Sequence, residues 1–159
     1  MQRSTDAILA AELEKLASAA SDVEIGTKVV GRVARKLPND MFQVELELAE
    51  SADRVLRVAC DVLDEVGRIR DDVVASDAAP TVAAVVGSGF LNLNPAVVTV
   101  EVAPLAADRA RVTVTGTAKE GLIKQHAGEK AARRIADKLR QSLGGFSTGI
   151  VTVGGADST

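Results

Sequence analysis

Three phenylalanines, with no tryptophan or tyrosine, are the whole aromatic complement of this chain of 159 residues. Aromatic side chains bury the most area apiece, so their scarcity constrains the fold more than any other feature. The interior has to be filled by Val, Leu, Ile and Ala, each of which covers less. Native packing density then requires backbones to approach closely, with small residues where elements touch. Hydrophobic residues make up 47% of the chain, enough for a core packed in this way.

The clearest local signal is MFQVELELAES. Phe42, Val44, Leu46 and Leu48 alternate with Gln43, Glu45 and Glu47, which predicts a strand with one buried and one wet face. Ser51 is placed to cap a helix over 52–66, stopped by Gly67. Val55, Ala59, Val62, Leu63 and Val66 share one face of it. Arg57 with Asp61, and Asp64 with Arg68, stand at i,i+4 on the other. Upstream, Ser4 or Thr5 opens a helix to about residue 20. Its narrow stripe of Leu9, Leu13, Leu16, Ala17 and Ala20 suits docking on a body or on a second subunit. Over 26–36 the apolar spacing fits a helix, whereas Gly26, Gly31 and the β-branched residues fit a strand; the helix is preferred.

Residues 68–80 read as a connection or short edge strand. Strands are predicted over 81–86, 97–102 and 110–115. Val98, Val100, Val102, Val112 and Val114 face one way, and Thr99, Glu101, Arg111, Thr113 and Thr115 the other. PLAADR supplies the turn between the last two. Thr117-Ala118-Lys119-Glu120 reads as a capping box opening a long helix, past Gly121, to about residue 143. Gly128, Ala131, Ala132, Ile135, Ala136, Leu139 and Leu143 form its small apolar face. The expected architecture is α+β: an antiparallel sheet of about four to five strands, packed on one face by helices, with a long C-terminal helix. An N-terminal helical segment (1–40), a β-α-β-β-β-α sandwich (41–145) and a flexible tail or added edge strand (146–159) would form one globular domain.

The net charge is −3 and the pI near 5.2. With no basic field and no aromatic platforms for bases, nucleic-acid binding is not expected. One cysteine, Cys60, permits no internal disulfide, which suits a reducing compartment. Glu12, Glu14 and Lys15 break the N-terminal apolar pattern, so it does not read as a signal peptide. No apolar run reaches the roughly 18–20 residues that span a bilayer. A cytoplasmic location without membrane insertion is the expectation.

No catalytic constellation, cofactor motif or metal site is legible. His126 is the one histidine, and neither CxxC nor GxSxG is present. Cys60 flanks an apolar helix face and reads as a packing residue. GSGFLNLNP, residues 87–95, has the glycines of a phosphate loop, but such a loop opens a helix and this one joins two strands. It reads as a hairpin, with Gly87 and Gly89 permitting a bulge or bend and Asn92-Leu93-Asn94-Pro95 turning the chain. Phe90, Leu91 and Leu93 are large apolar residues at a turn. They are either tucked under a helix or, flanked by Asn92 and Asn94, form a lip for a ligand or partner. Lys130, Arg133, Arg134 and His126 form a candidate anion site, against the plainer reading of a solvated helix face.

From Phe42 to Leu143 the order of elements resembles small bacterial families of unknown function built on β-α-β-β-β-α. Their architecture is similar to TATA-binding-protein-like or START-like sandwiches. VVGSGFLNLNPAVVTVEV and TAKEGLIKQHAGEKAARRIADKL look like the signature stretches of such a family. The resemblance implies the fold and no catalytic motif. The function expected is a non-enzymatic protein-interaction or oligomerisation module, self-associating as a dimer. The alternative is a START-like binder of a lipid or other apolar small molecule, its head group held by Arg or Lys of the last helix.

Overall fold

The computed structural model describes residues 5–20, 37–70, 79–88, 94–119, 125–144 and 151–153. In chain order the elements are α1 (Thr5–Ala20), β1 (Asn39–Leu48), α2 (Ala52–Val66), β2 (Gly67–Ile69), β3 (Thr81–Ser88), β4 (Asn94–Ala106), β5 (Arg109–Lys119), α3 (Ala127–Ser142) and β6 (Val151–Val153). The segment over 26–36 lies outside the described residues.

The fold is α+β. The strands form one antiparallel sheet in the order β2-β3-β4-β5-β1-β6, with four long strands flanked by three-residue edges. Alternation sorts the side chains as the pattern predicts. Phe42, Val44, Leu46 and Leu48 of β1 join Val98, Val100, Val102, Val112 and Val114 in a core covered by α2 and α3. Val55, Ala59, Val62 and Leu63 supply the α2 face, and Ala131, Ala132, Ile135, Ala136 and Leu139 much of the α3 face.

The aromatic-poor core is closed by backbone contact. A Cβ on Gly116 of β5 would run into the carbonyl of Gly128 at the start of α3. A Cβ on Gly128 would lie 2.5 Å from the Asp40 carbonyl oxygen. Small residues let α3 lie directly on β1 and β5, and Asp40 secures it there. Its Oδ2 accepts from the Gly128 N–H at 2.8 Å and from the Glu129 N–H at 3.4 Å. The residue that precedes α3, His126, makes no side-chain cap and has a positive φ of 51°.

Four expectations are corrected. The capping box at 117–120 does not open a helix. Thr117, Ala118 and Lys119 end β5, with Lys119 opposite Asn39 and Ala118 opposite Ala96, so ladders on both sides satisfy backbone that a helix start would leave unpaired. Gly87 makes no bulge: it pairs in register with Pro95, and the register shift falls between Pro104 and Ala106. Arg68 does not pair with Asp64 along α2, because the helix ends at Val66 and Arg68 lies in β2. Gly67 stops the helix as expected, in extended backbone, and its missing side chain lets β2 lie against Val85 and Val86 of β3.

The fourth concerns α1, which docks on the sheet face opposite α2 and α3. Ile8 and Leu9 are buried with Val85 and Val97, whose neighbours Ala84, Val86, Ala96 and Val98 face the main core. Leu13 and Leu16 of the expected stripe are only half-buried, whereas Glu12 is buried. The docked face is therefore rotated toward Ile8 and Glu12.

Candidate functional site

A cleft of about 440 Å³ lies beside the docked α1. α1 contributes Glu12 and Leu16. The end of α2 and β2 contribute Glu65, Val66, Gly67 and Arg68, and the β3–β4 hairpin Val85, Val86, Gly87 and Pro95. Its volume is in the range of small-molecule sites, about 300–1,000 Å³. Gly87 and Pro95, the first and last residues of GSGFLNLNP, are paired between β3 and β4, and both line the cleft. Phe90, Leu91, Asn92 and Leu93 of the expected lip lie outside the described residues. Asn94 opens β4 and pairs with Ser88.

The cleft is built around a buried carboxylate. Glu12 is 7% exposed; its Oε2 accepts from Arg68 Nη2 at 2.6 Å and its Oε1 from Lys15 Nζ at 3.1 Å. Burying a charge is costly unless it is paired and hydrogen-bonded, and two cations meet that condition here. Glu65 at the rim is exposed and takes Lys138 of α3 at 2.7 Å. That hydrogen bond holds its carboxyl below the usual glutamate value. At the other end of α1, Asp6 accepts from the Asn39 amide at 2.8 Å and pairs with the buried Lys119 at 3.1 Å. Lys119 also donates to the Leu37 carbonyl at 3.1 Å. Glu12 and Lys119 are the buried charged residues among those described, and both bind α1 to the sheet.

The candidate anion residues occupy the exposed face of α3. His126 Nδ1 and Arg133 Nε both approach Glu129, at 3.9 and 2.9 Å. Arg133 also stacks over the Phe42 ring, 4.9 Å from its centroid. Lys130 and Arg134 are exposed, with Arg134 acting on Glu65. An external anion there would compete with these carboxylates. Glu129 pairs with Arg133 at i,i+4, and Asp137 pairs with Arg140 at i,i+3.

Burial, aided by the charge of Asp61, pushes the Cys60 thiol up, away from the thiolate a nucleophile needs. Among the described residues no three His, Cys, Asp or Glu side chains converge as a metal site, and no helix is long and apolar enough to cross a membrane. Sequence reasoning missed Glu12 and Arg68 as site residues. The one available signal was a carboxylate one helical turn from Ile8 and from Leu16, on the face those residues share.

No protein-family model matches the chain, and no curated protein matches it. Among solved structures it is similar to norcoclaurine synthase from Thalictrum flavum in complex with dopamine and hydroxybenzaldehyde. That match has 18% identity and a TM-score of 0.40, covering 67% of this chain and 87% of the other. The Mll3558 protein from Rhizobium loti is 16% identical with a TM-score of 0.40, over 68% and 99% of the two chains. An aromatase/cyclase from Streptomyces sp. R1128 is 12% identical with a TM-score of 0.32, over 66% and 86%. Likeness at this level transfers neither reaction nor ligand to this chain.

Proposed function

We propose that this protein is a small-molecule binding module whose site is the cleft beside α1. The observation that carries the reading is an open cleft formed where three separate parts of the chain meet. Leu16, Val66, Val85 and Pro95 line it together with a paired, buried carboxylate, a combination of apolar lining with a few placed polar groups. The sheet–α3 interface is a weaker candidate, because Gly116 and Gly128 close it by backbone contact. Binding is preferred over catalysis because burial pushes the Cys60 thiol up and, among the described residues, the carboxylates that line the cleft are already in ion pairs.

Self-association is the second reading, and it rests on the apolar residues Phe90, Leu91 and Leu93. Among the described residues the exposed large hydrophobics are Met41 and Leu105, near opposite ends of the sheet. Leu9 of the α1 stripe is spent on the chain's own sheet, and Leu13 and Leu16 are half-buried.

Native mass spectrometry of freshly purified protein, together with Nile red titration, tests both readings. A monomer that retains a small molecule or binds the dye is expected. Leu16→Trp fills the cleft and is expected to weaken dye binding at least about tenfold with the fold retained. A ligand-free dimer, or dye binding indifferent to Leu16→Trp, would sink the cleft reading.

A further inference from the structure

We propose that the ligand of this cleft is an amphipathic monoanion, an apolar body with one carboxylate head that docks on Arg68. The inference rests on the cleft being the binding site, and it follows from the charges at the mouth. Two carboxylates line the cleft, Glu12 and Glu65, and three cations hold them: Arg68 and Lys15 on Glu12, Lys138 on Glu65. Among the described residues these five side chains carry one positive charge in excess.

That excess is available at Arg68. Lys15 is not part of the lining, and Lys138 lies on α3 with its ammonium on Glu65. Arg68 lines the cleft, its side chain is 61% exposed, and Glu12 engages its Nη2. Guanidinium has five N–H donors in a planar fork, so the contact with Glu12 orients the group and leaves donors for a second carboxylate.

A cationic ligand is disfavoured because both oxygens of Glu12 are engaged and Glu65 is held by Lys138. A phosphate dianion is disfavoured for a different reason. The cleft is lined by the C-terminal end of α2, whose dipole is negative, and one excess positive charge cannot balance two negative ones there. The lining offers a single negative head group a fork, and an apolar body the residues Leu16, Val66, Val85 and Pro95.

The test is displacement of Nile red from the purified protein by decanoate, decanol and decylamine below their micelle-forming concentrations. The chain has no Trp or Tyr, so the dye signal is free of intrinsic aromatic emission. Decanoate is expected to displace the dye at about a tenfold lower concentration than decanol, with decylamine weakest. Arg68→Gln is expected to erase the advantage of decanoate, read as the ratio of the displacing concentrations of decanoate and decanol in that variant. Arg68→Lys, which keeps the charge without the fork, is expected to retain part of it. The comparison of head groups on the unaltered protein stands without either variant. Equal displacement by decanoate and decanol, or preference for the amine, would overturn the monoanion and leave the cleft as a site. Failure of all three to displace the dye, or displacement unchanged by Leu16→Trp, would overturn the cleft and this inference together.

Discussion

At the scale of residues, two glycines and one aspartate show how little space this core leaves. Gly128 lies against the carbonyls of Asp40 and Gly116, so the atoms an added methyl would meet are backbone and cannot rotate away. Gly128→Ala is expected to destabilise the protein by about 1–3 kcal/mol, read from the shift in its urea unfolding midpoint. Asp6 gives a pH signature. The hydrogen bond from Asn39, joined by Lys119 and opposed by burial, lowers its carboxyl below the ordinary aspartate value. A depressed folded value stabilises the native state above the unfolded value, and the contribution is lost as pH falls through the folded one. Asp6 is half exposed, so the effect is small. Asp6→Asn is expected to lower stability near neutral pH and to flatten the acid limb of stability against pH below about pH 4.

At the scale of elements, α1 is held differently from the rest. α2 and α3 share an extended core with four long strands, whereas α1 buries Ile8 and Leu9 against Val85 and Val97 and is tied by ion pairs at Asp6 in its first turn and at Glu12 midway. An element with so small an apolar footing opens locally before the molecule unfolds. Leu9 is fully buried, and Leu9→Ala removes about 2–5 kcal/mol from a patch of four side chains. The expected outcome is release of α1 with the sheet intact. Hydrogen exchange would show α1 amides losing protection while those of β4, β5 and α3 keep theirs, and Nile red binding would be lost with Glu12 and Leu16. Uniform loss of protection would mean instead that α1 belongs to the global folding unit.

At the scale of the whole molecule, the cleft joins elements far apart in sequence: α1, the α2–β2 junction and the β3–β4 hairpin. A ligand seated there binds the folded chain alone, because no one segment carries the site. Binding therefore adds to folding stability by mass action. Decanoate at a hundredfold excess over its Kd is expected to raise the unfolding free energy by about 2.7 kcal/mol. The check is urea unfolding with and without the probe, in which Arg68→Gln should show a smaller gain.

What was legible in the sequence was whatever a short window encodes. The strand at Phe42 to Leu48, the inward valines of β4 and β5, and the apolar faces of α2 and α3 follow from periods of 2 and 3.6, because burial of one face is a local pattern. The scarcity of aromatics likewise anticipated the backbone contact at Gly116 and Gly128. Tertiary pairing decided the rest. Thr117 to Glu120 satisfy a capping-box pattern, yet two neighbouring strands offer the backbone of Thr117 to Lys119 hydrogen bonds that a new helix turn cannot. Glu12 looked like an interruption of an amphipathic stripe, and its partner Arg68 stands 56 residues away. A local pattern tells which side of a segment is apolar. It does not tell which surface will cover that side, or which distant charge will make a buried carboxylate tolerable, because those energies exist only once the segments have met.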